Sequence, residues 1–163
     1  MNKMNSHEGH IRFGSAKSAA IARALNGLVD LYPRHVELRD HLIKQAENGE
    51  KCDALFIAAI NRSLCLIDAF QTLIGDQNYV VASALIRMQI DSALRLHAIW
   101  IVPNRAEYAN HIMAGKKIDR FELSKKQRLS DKHLRTLLAK DHDWINRYYE
   151  LSSAYVHLSM EHI

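Results

Sequence analysis

Arg87, Asp91 and Arg95 stand at intervals of four in the stretch YVVASALIRMQIDSALRLHAIWIV, Tyr79 to Val102. On an α-helix they fall at about 0°, 40° and 80°, one slowly drifting stripe. The rest of that stretch is apolar on almost every side and holds no Gly or Pro, which places such a helix near the centre of its domain. Charges there must be paired or must face a cleft, because an unpaired buried charge is strongly destabilising. Two chemistries satisfy the stripe. One is a salt-bridge network that fixes helix packing; the other is a polar cleft for an anion, a phosphate or a nucleotide. Two guanidiniums against one carboxylate leave excess positive charge, which suits an anionic visitor.

The C-terminal run INRYYELSSAYVHLSMEHI carries the second set of reactive side chains. Glu150, His157 and Glu161 lie within about 40° of one another by helical angle, and Arg147 lies about 80° from His157. A histidine oriented by a carboxylate, with an arginine nearby, is the equipment of general acid–base catalysis. A surface helix end with a His–Glu pair one turn apart would give the same pattern. Tyr148, Ser152, Tyr155 and Ser159 form a neighbouring stripe suited to a polar helix–helix or dimer contact. Glu150 and Ser152 thus join Arg87, Asp91 and Arg95 as a candidate polar network, anion-binding or structural. His157 and Arg147 are the candidate catalytic pair.

Metal and cofactor chemistry find little support. No Glu is followed by His three positions later, the spacing that carboxylate-bridged metal bundles use. There is no Gly-rich phosphate loop, Cys-x-x-Cys, His-Glu-x-x-His or nucleophile elbow. His7-Glu8-Gly9-His10 could hold a stray metal, but it sits in a polar arm. No metal and no cofactor are therefore expected.

The elements that must position these residues are helices. The 163 residues suffice for one domain with a real core. β-branched alternation is almost absent, and helix formers are plentiful. Residues 1–14 read as a loose arm and 15–163 as a single helical-bundle domain. The helical pattern is still running at Ile163, so the natural domain is expected to extend further. Ser15 reads as the N-cap of a first helix to about Leu31, Pro33 as a break or kink, and a second helix as ending at Asn48-Gly49. Lys51 to Ile74 and Tyr79 to Val102 are long helices joined by the turn GDQN, hence antiparallel neighbours. Short helices follow Asn104 and Ser130, and Asp141 or Asp143 opens the last helix. The expected architecture is an all-α, up-and-down bundle with additional short helices, cored by the two long helices and the last one.

The formal net charge of +4 is matched by Lys116–Arg128, which holds six basic and two acidic residues. That segment reads as a solvated loop or short helix, or as a contact patch for nucleic acid or an acidic partner. Cys52 and Cys65 lie about 20 Å apart along one helix, too far to bridge. Unpaired cysteines suit a cytoplasmic location. The charges inside Tyr79–Val102 argue against a membrane span.

LIRMQIDSALRLH (85–97) and INRYYELSSAYVHLSMEHI (145–163) resemble motifs of a group of uncharacterised bacterial helical domains, with no established activity to carry over. The resemblance marks Arg87, Asp91, Tyr149, Ser152 and His157. More distantly the chain is similar to the HEPN superfamily of four-helix domains. Many members are metal-independent RNases of toxin–antitoxin and phage-defence systems, with Arg-x(4–6)-His sites meeting across a dimer. Here nine residues separate Arg147 from His157, a departure from that spacing. The resemblance implies a domain acting on RNA or nucleotides, and the two polar constellations put forward His157 as acid/base with Arg147 and Arg87 or Arg95 on phosphate; the Tyr, Trp and Met of the last helix suit a homodimer interface. The alternative is a non-catalytic helical module for dimerisation or ligand sensing.

Overall fold

The computed structural model describes residues 16–46, 51–124 and 127–156. The polar arm, Asn48-Gly49, His157, Ser159 and Glu161 lie outside the described residues. Within them the chain is an all-α helical bundle with one small hairpin: α1 (Ala16–Gln45), α2 (Lys51–Gly75), α3 (Tyr79–Ile101), α4 (Arg105–Met113), β1 (Glu122–Ser124), β2 (Gln127–Arg128), α5 (Asp131–Leu138) and α6 (Trp144–Val156). No helix among the described residues is long and apolar enough to cross a membrane.

The long helices pack in a row, α1 on α2, α2 on α3 and α3 on α6, with α4 and α5 closing one end. Asp76–Asn78 reverses the chain between α2 and α3. Gln77 takes φ +59°, and the Asn78 side chain accepts from the Val81 amide to cap α3. Gln89 donates to Ser63 across the α2–α3 contact at 2.9 Å, fixing their register.

Three features differ from the sequence expectation. α1 runs unbroken through Pro33. The proline removes one amide bond, but more than four turns of helix before it and about three after it are kept. Lys116–Arg128 is not a single loop or a single helix. A 3₁₀ turn at Ile118–Arg120 leads into the antiparallel β1–β2 pair, with Glu122 opposite Arg128. Ile118 and Phe121 are buried, and Leu129 is fully covered. Phe121 meets the Tyr108 ring edge-on at 5.2 Å, so the basic segment is pinned to the core by its few apolar residues. Finally, the short elements do not decorate the core; they supply much of it. Leu94 and Ala98 of α3 pack with Tyr108, Ala109, Leu129, Leu134 and Ile145 in one buried cluster.

Candidate functional site

Arg87 leaves α3 one turn before Asp91 and two before Arg95, as the stripe requires; Arg87 meets residues of α5 and α6, Arg95 meets α5, and Asp91 pairs with Arg87 on α3 itself. The Arg87 guanidinium donates through Nη1 to Asp91, through Nη2 to the Tyr149 hydroxyl, and through Nε to Ser153 Oγ at 3.1 Å. Asp131 stands 3.8 Å away through Oδ2. Its Oδ1 accepts from Arg95 Nη1 at 2.6 Å, so one carboxylate bridges both arginines of the stripe. The Tyr149 hydroxyl reaches Asp131 Oδ2 at 3.5 Å.

The neighbouring elements make this convergence possible. Ser130 caps α5, accepting from the His133 amide at 3.1 Å, and puts Asp131 in the first helical turn. There the carboxylate also meets the favourable end of the helix dipole. Tyr149 and Ser153, one turn apart on α6, face α3 together. The Ser153 hydroxyl donates to the Tyr149 carbonyl at 2.6 Å, which orients its lone pairs towards Arg87. Two guanidiniums lie against the Tyr149 ring, Arg87 at 3.6 Å and Arg135 at 3.9 Å from its centroid. Arg135 also pairs with Glu150 at 3.6 Å. Its buried Nε has no oxygen acceptor among the described residues, and the π-face of Tyr149 is the electron-rich partner at hand.

Burial lowers the Arg87 pKa from its usual value. Tyr149 and Asp131 oppose that shift, and the charges of Arg95 and Arg135 add to it. The group stays cationic, and the crowding of like charge explains why Asp131 is needed as well as Asp91.

Two concavities flank α3. A polar cleft of 370 Å³ is lined by Arg95, Lys117, Asp119, Ser130 and Asp131. Its charges are mixed, two basic against two acidic. An apolar groove of 290 Å³ lies between α1, α2 and α3, with Leu31, Ile67, Phe70 and Ile86 in its walls and Trp144 at its edge. Its polar lining consists of His35, Ser63 and Gln89. The His35 ring donates through Nδ1 to the Leu31 carbonyl at 2.9 Å.

No family model, curated protein or solved structure matches the chain.

The sequence candidates divide as follows. Arg87, Asp91 and Arg95 come together as one network. Glu150 joins it at the edge through Arg135. Ser152 does not: it is buried, and its hydroxyl donates back to the Tyr148 carbonyl at 2.6 Å. Arg147 is exposed, with its guanidinium 5.9 Å from the Tyr148 ring, and α6 turns about 200° between it and Tyr149. It therefore sits away from the cluster. His157 lies outside the described residues. Sequence reasoning missed Asp131, Arg135 and Ser153. The Ser130–Asp131 pair signalled a helix start and gave no sign of its partners on α3, since long-range pairing leaves no local pattern.

Proposed function

We propose that the chain is a non-catalytic helical module that senses a small ligand in the apolar groove, with the Arg87–Asp131 cluster as the lock that holds α3, α5 and α6 in place. The observation that carries this is the accounting at Arg87. All three of its nitrogens donate to protein oxygens, on Asp91, Tyr149 and Ser153. A group so committed braces helices rather than waiting for a phosphate.

The groove has the character of a ligand site: apolar walls with a few polar groups, near the small end of the usual range of about 300–1,000 Å³. Among the described residues, no Asp, Glu, Lys or Arg lines it. The Gln89–Ser63 bond consumes neither the Ser63 hydroxyl proton nor the Gln89 side-chain carbonyl. A neutral, mainly apolar molecule with one hydrogen-bonding group fits that lining.

The test uses Trp144 as reporter in a Trp100→Phe background, titrated with 1-octanol. A saturable fluorescence change, with a matching rise in Tm, is expected. The rise in Tm should vanish in Ile67→Trp, which fills the groove; because it adds an indole of its own, this variant is read by Tm alone. A linear, unsaturated response in both proteins would sink the reading.

A second reading has one observation of its own. Arg95 and Lys117 both line the open polar cleft, where a phosphate could meet two cations. On this reading the chain is a HEPN-like cytoplasmic bacterial protein acting on RNA, with His157 as acid/base and Arg147 as a further phosphate contact. Purified protein in excess EDTA, beside His157→Ala, tests it. Cleavage of cellular RNA by the wild type alone would favour it over the binding module.

A further inference from the structure

The polar cleft beside α3 is built from three elements, and its charges are not equally committed. Arg95 stands on α3, Ser130 and Asp131 open α5, and the 3₁₀ turn at Ile118–Arg120 supplies Asp119, with Lys117 as its N-cap residue. That turn is firmly anchored. His111 donates through Nε2 to the Lys117 carbonyl at 2.8 Å, Ile118 is buried, and Phe121 packs edge-on against both His111 and Tyr108. Asp131 is committed inside the lock: one oxygen accepts from Arg95 at 2.6 Å, and the other lies 3.8 Å from Arg87. Arg95 is only partly committed. Its Nη1 goes to Asp131, while its Nε and Nη2 bond no oxygen among the described residues and neither is sealed from solvent. Lys117 and Asp119 are exposed, and neither makes an ion pair among the described residues. The Ser130 hydroxyl accepts from the His133 amide and still has its own proton to give.

We infer that this cleft binds a compact zwitterion of the free α-amino acid kind, its carboxylate on Arg95 and Lys117 and its ammonium on Asp119. The charges select that class by exclusion. A lone anion such as phosphate gains Arg95 and Lys117 but comes up against the carboxylates of Asp119 and Asp131. A lone cation gains Asp119 but meets a guanidinium and an ammonium. In a partly desolvated cleft, repulsion of that kind is comparable to the attraction it accompanies. A molecule with both signs a few ångströms apart answers both, and it brings no net charge into a cleft whose two basic and two acidic groups already balance. The arginine is prepared for its part. Asp131 holds Nη1, which leaves the Nε–Nη2 edge, the fork that takes a carboxylate through two parallel N–H bonds. Lys117 and the Ser130 hydroxyl proton add donors on the same side of the ledger of charge. The volume of 370 Å³ holds a free amino acid with water to spare, and Ile118 is the sole apolar residue of the lining among the described residues. The site is therefore suited to the charged groups common to all amino acids, with a small or polar side chain.

This inference stands apart from the groove reading, because the cleft and the groove share no residue. The test is a nuclear magnetic resonance titration of the ¹⁵N-labelled full chain with each standard amino acid singly, up to about 10 mM, following the Arg95 Nε–H and the Lys117 and Asp119 amides. Saturable shifts at these groups are expected for at least one amino acid, with a Kd below about 1 mM. Its N-acetyl derivative and its methyl ester each lack one of the two charges, and each should bind at least about tenfold more weakly. Asp119→Asn and Lys117→Gln should weaken binding by about the same factor and keep the wild-type circular dichroism, since both side chains are exposed. The proposal is overturned if no amino acid saturates, if the N-acetyl derivative binds as tightly as its parent, or if Asp119→Asn changes nothing. The derivative comparison uses the wild-type chain, so it decides even where a variant does not fold. Inorganic phosphate runs beside the amino acids as a control. Saturable binding of phosphate with none of any amino acid overturns the proposal and returns the cleft to the phosphate reading.

Discussion

The C-terminal half of α3 and the helix α1 are built from similar residues and live in opposite conditions. Around Leu94 and Ala98 the chain folds back in short elements, and Tyr108, Leu129 and Leu134 are fully covered, although Trp100 at the end of α3 stays 63% exposed. α1 is longer than any of those elements, yet none of its described side chains is buried. The difference lies in the company and not in the composition. Short elements cannot stand alone, so they are held only by burying nearly everything apolar they own. A 30-residue helix is held by its own hydrogen bonds and one seam, and can afford an open flank. Stability is therefore concentrated at one end of the molecule, and apolar surface available for binding at the other.

The largest effects should separate those two regions. Leu129→Ala, in the fully covered link between the hairpin and α5, should cost about 3–4 kcal/mol in urea denaturation. Leu38→Ala on α1, half exposed, should cost no more than about 0.5 kcal/mol. Equal losses would erase the contrast.

Next in size is the lock. Asp131→Ala removes the carboxylate shared by Arg87 and Arg95 and should cost about 2–4 kcal/mol, somewhat under the figure for a fully buried pair because the carboxylate is 31% exposed. Asp91→Ala should cost less, since Asp131 stays beside Arg87. An Asp131→Ala variant that unfolds with the wild type would return the cluster to the anion-binding reading.

Tyr108 gives a smaller, pH-dependent effect at the same end. Burial raises its pKa well above the ordinary 10.0, while its hydroxyl donates to the Arg95 carbonyl at 3.0 Å. In the unfolded chain the phenol ionises near 10.0; in the folded chain it keeps its proton. The native state then binds more protons, so this contribution is present below pH 10.0 and is lost as pH rises above it. Tyr108→Phe should cost about 1 kcal/mol at neutral pH and make the alkaline fall in stability shallower. An unchanged alkaline slope would assign that fall to other groups.

Most of this frame was legible in the sequence, and the reasons are local. The unbroken apolar run of Tyr79–Ile101, the turn at 75–78, the helix starts after Asn104 and Ser130, and the charge stripe on α3 are all written within a few residues of one another; the capping role of Asn78 came only with the structure. The partners of that stripe were not. Asp131 reads as a first-turn acid and Ser153 as one of two adjacent serines; which of Ser152 and Ser153 turns towards α3 depends on the rotation of α6, which no local pattern fixes. The hairpin in Lys116–Arg128 was hidden for a different reason. Its strands are three and two residues long, below the length at which alternation can be recognised, and its charges masked Ile118 and Phe121.

The smallest expected effect is the one that most directly reads α1. Gly27 sits inside that helix, and a Cβ there would meet nothing within 4 Å. Glycine in a helix interior costs about 0.5–1 kcal/mol relative to alanine through the greater freedom of the unfolded chain. Gly27→Ala should therefore stabilise the fold by about that amount. A loss of stability instead would mean that a side chain packs against the glycine face, and that α1 is held by more than its seam on α2.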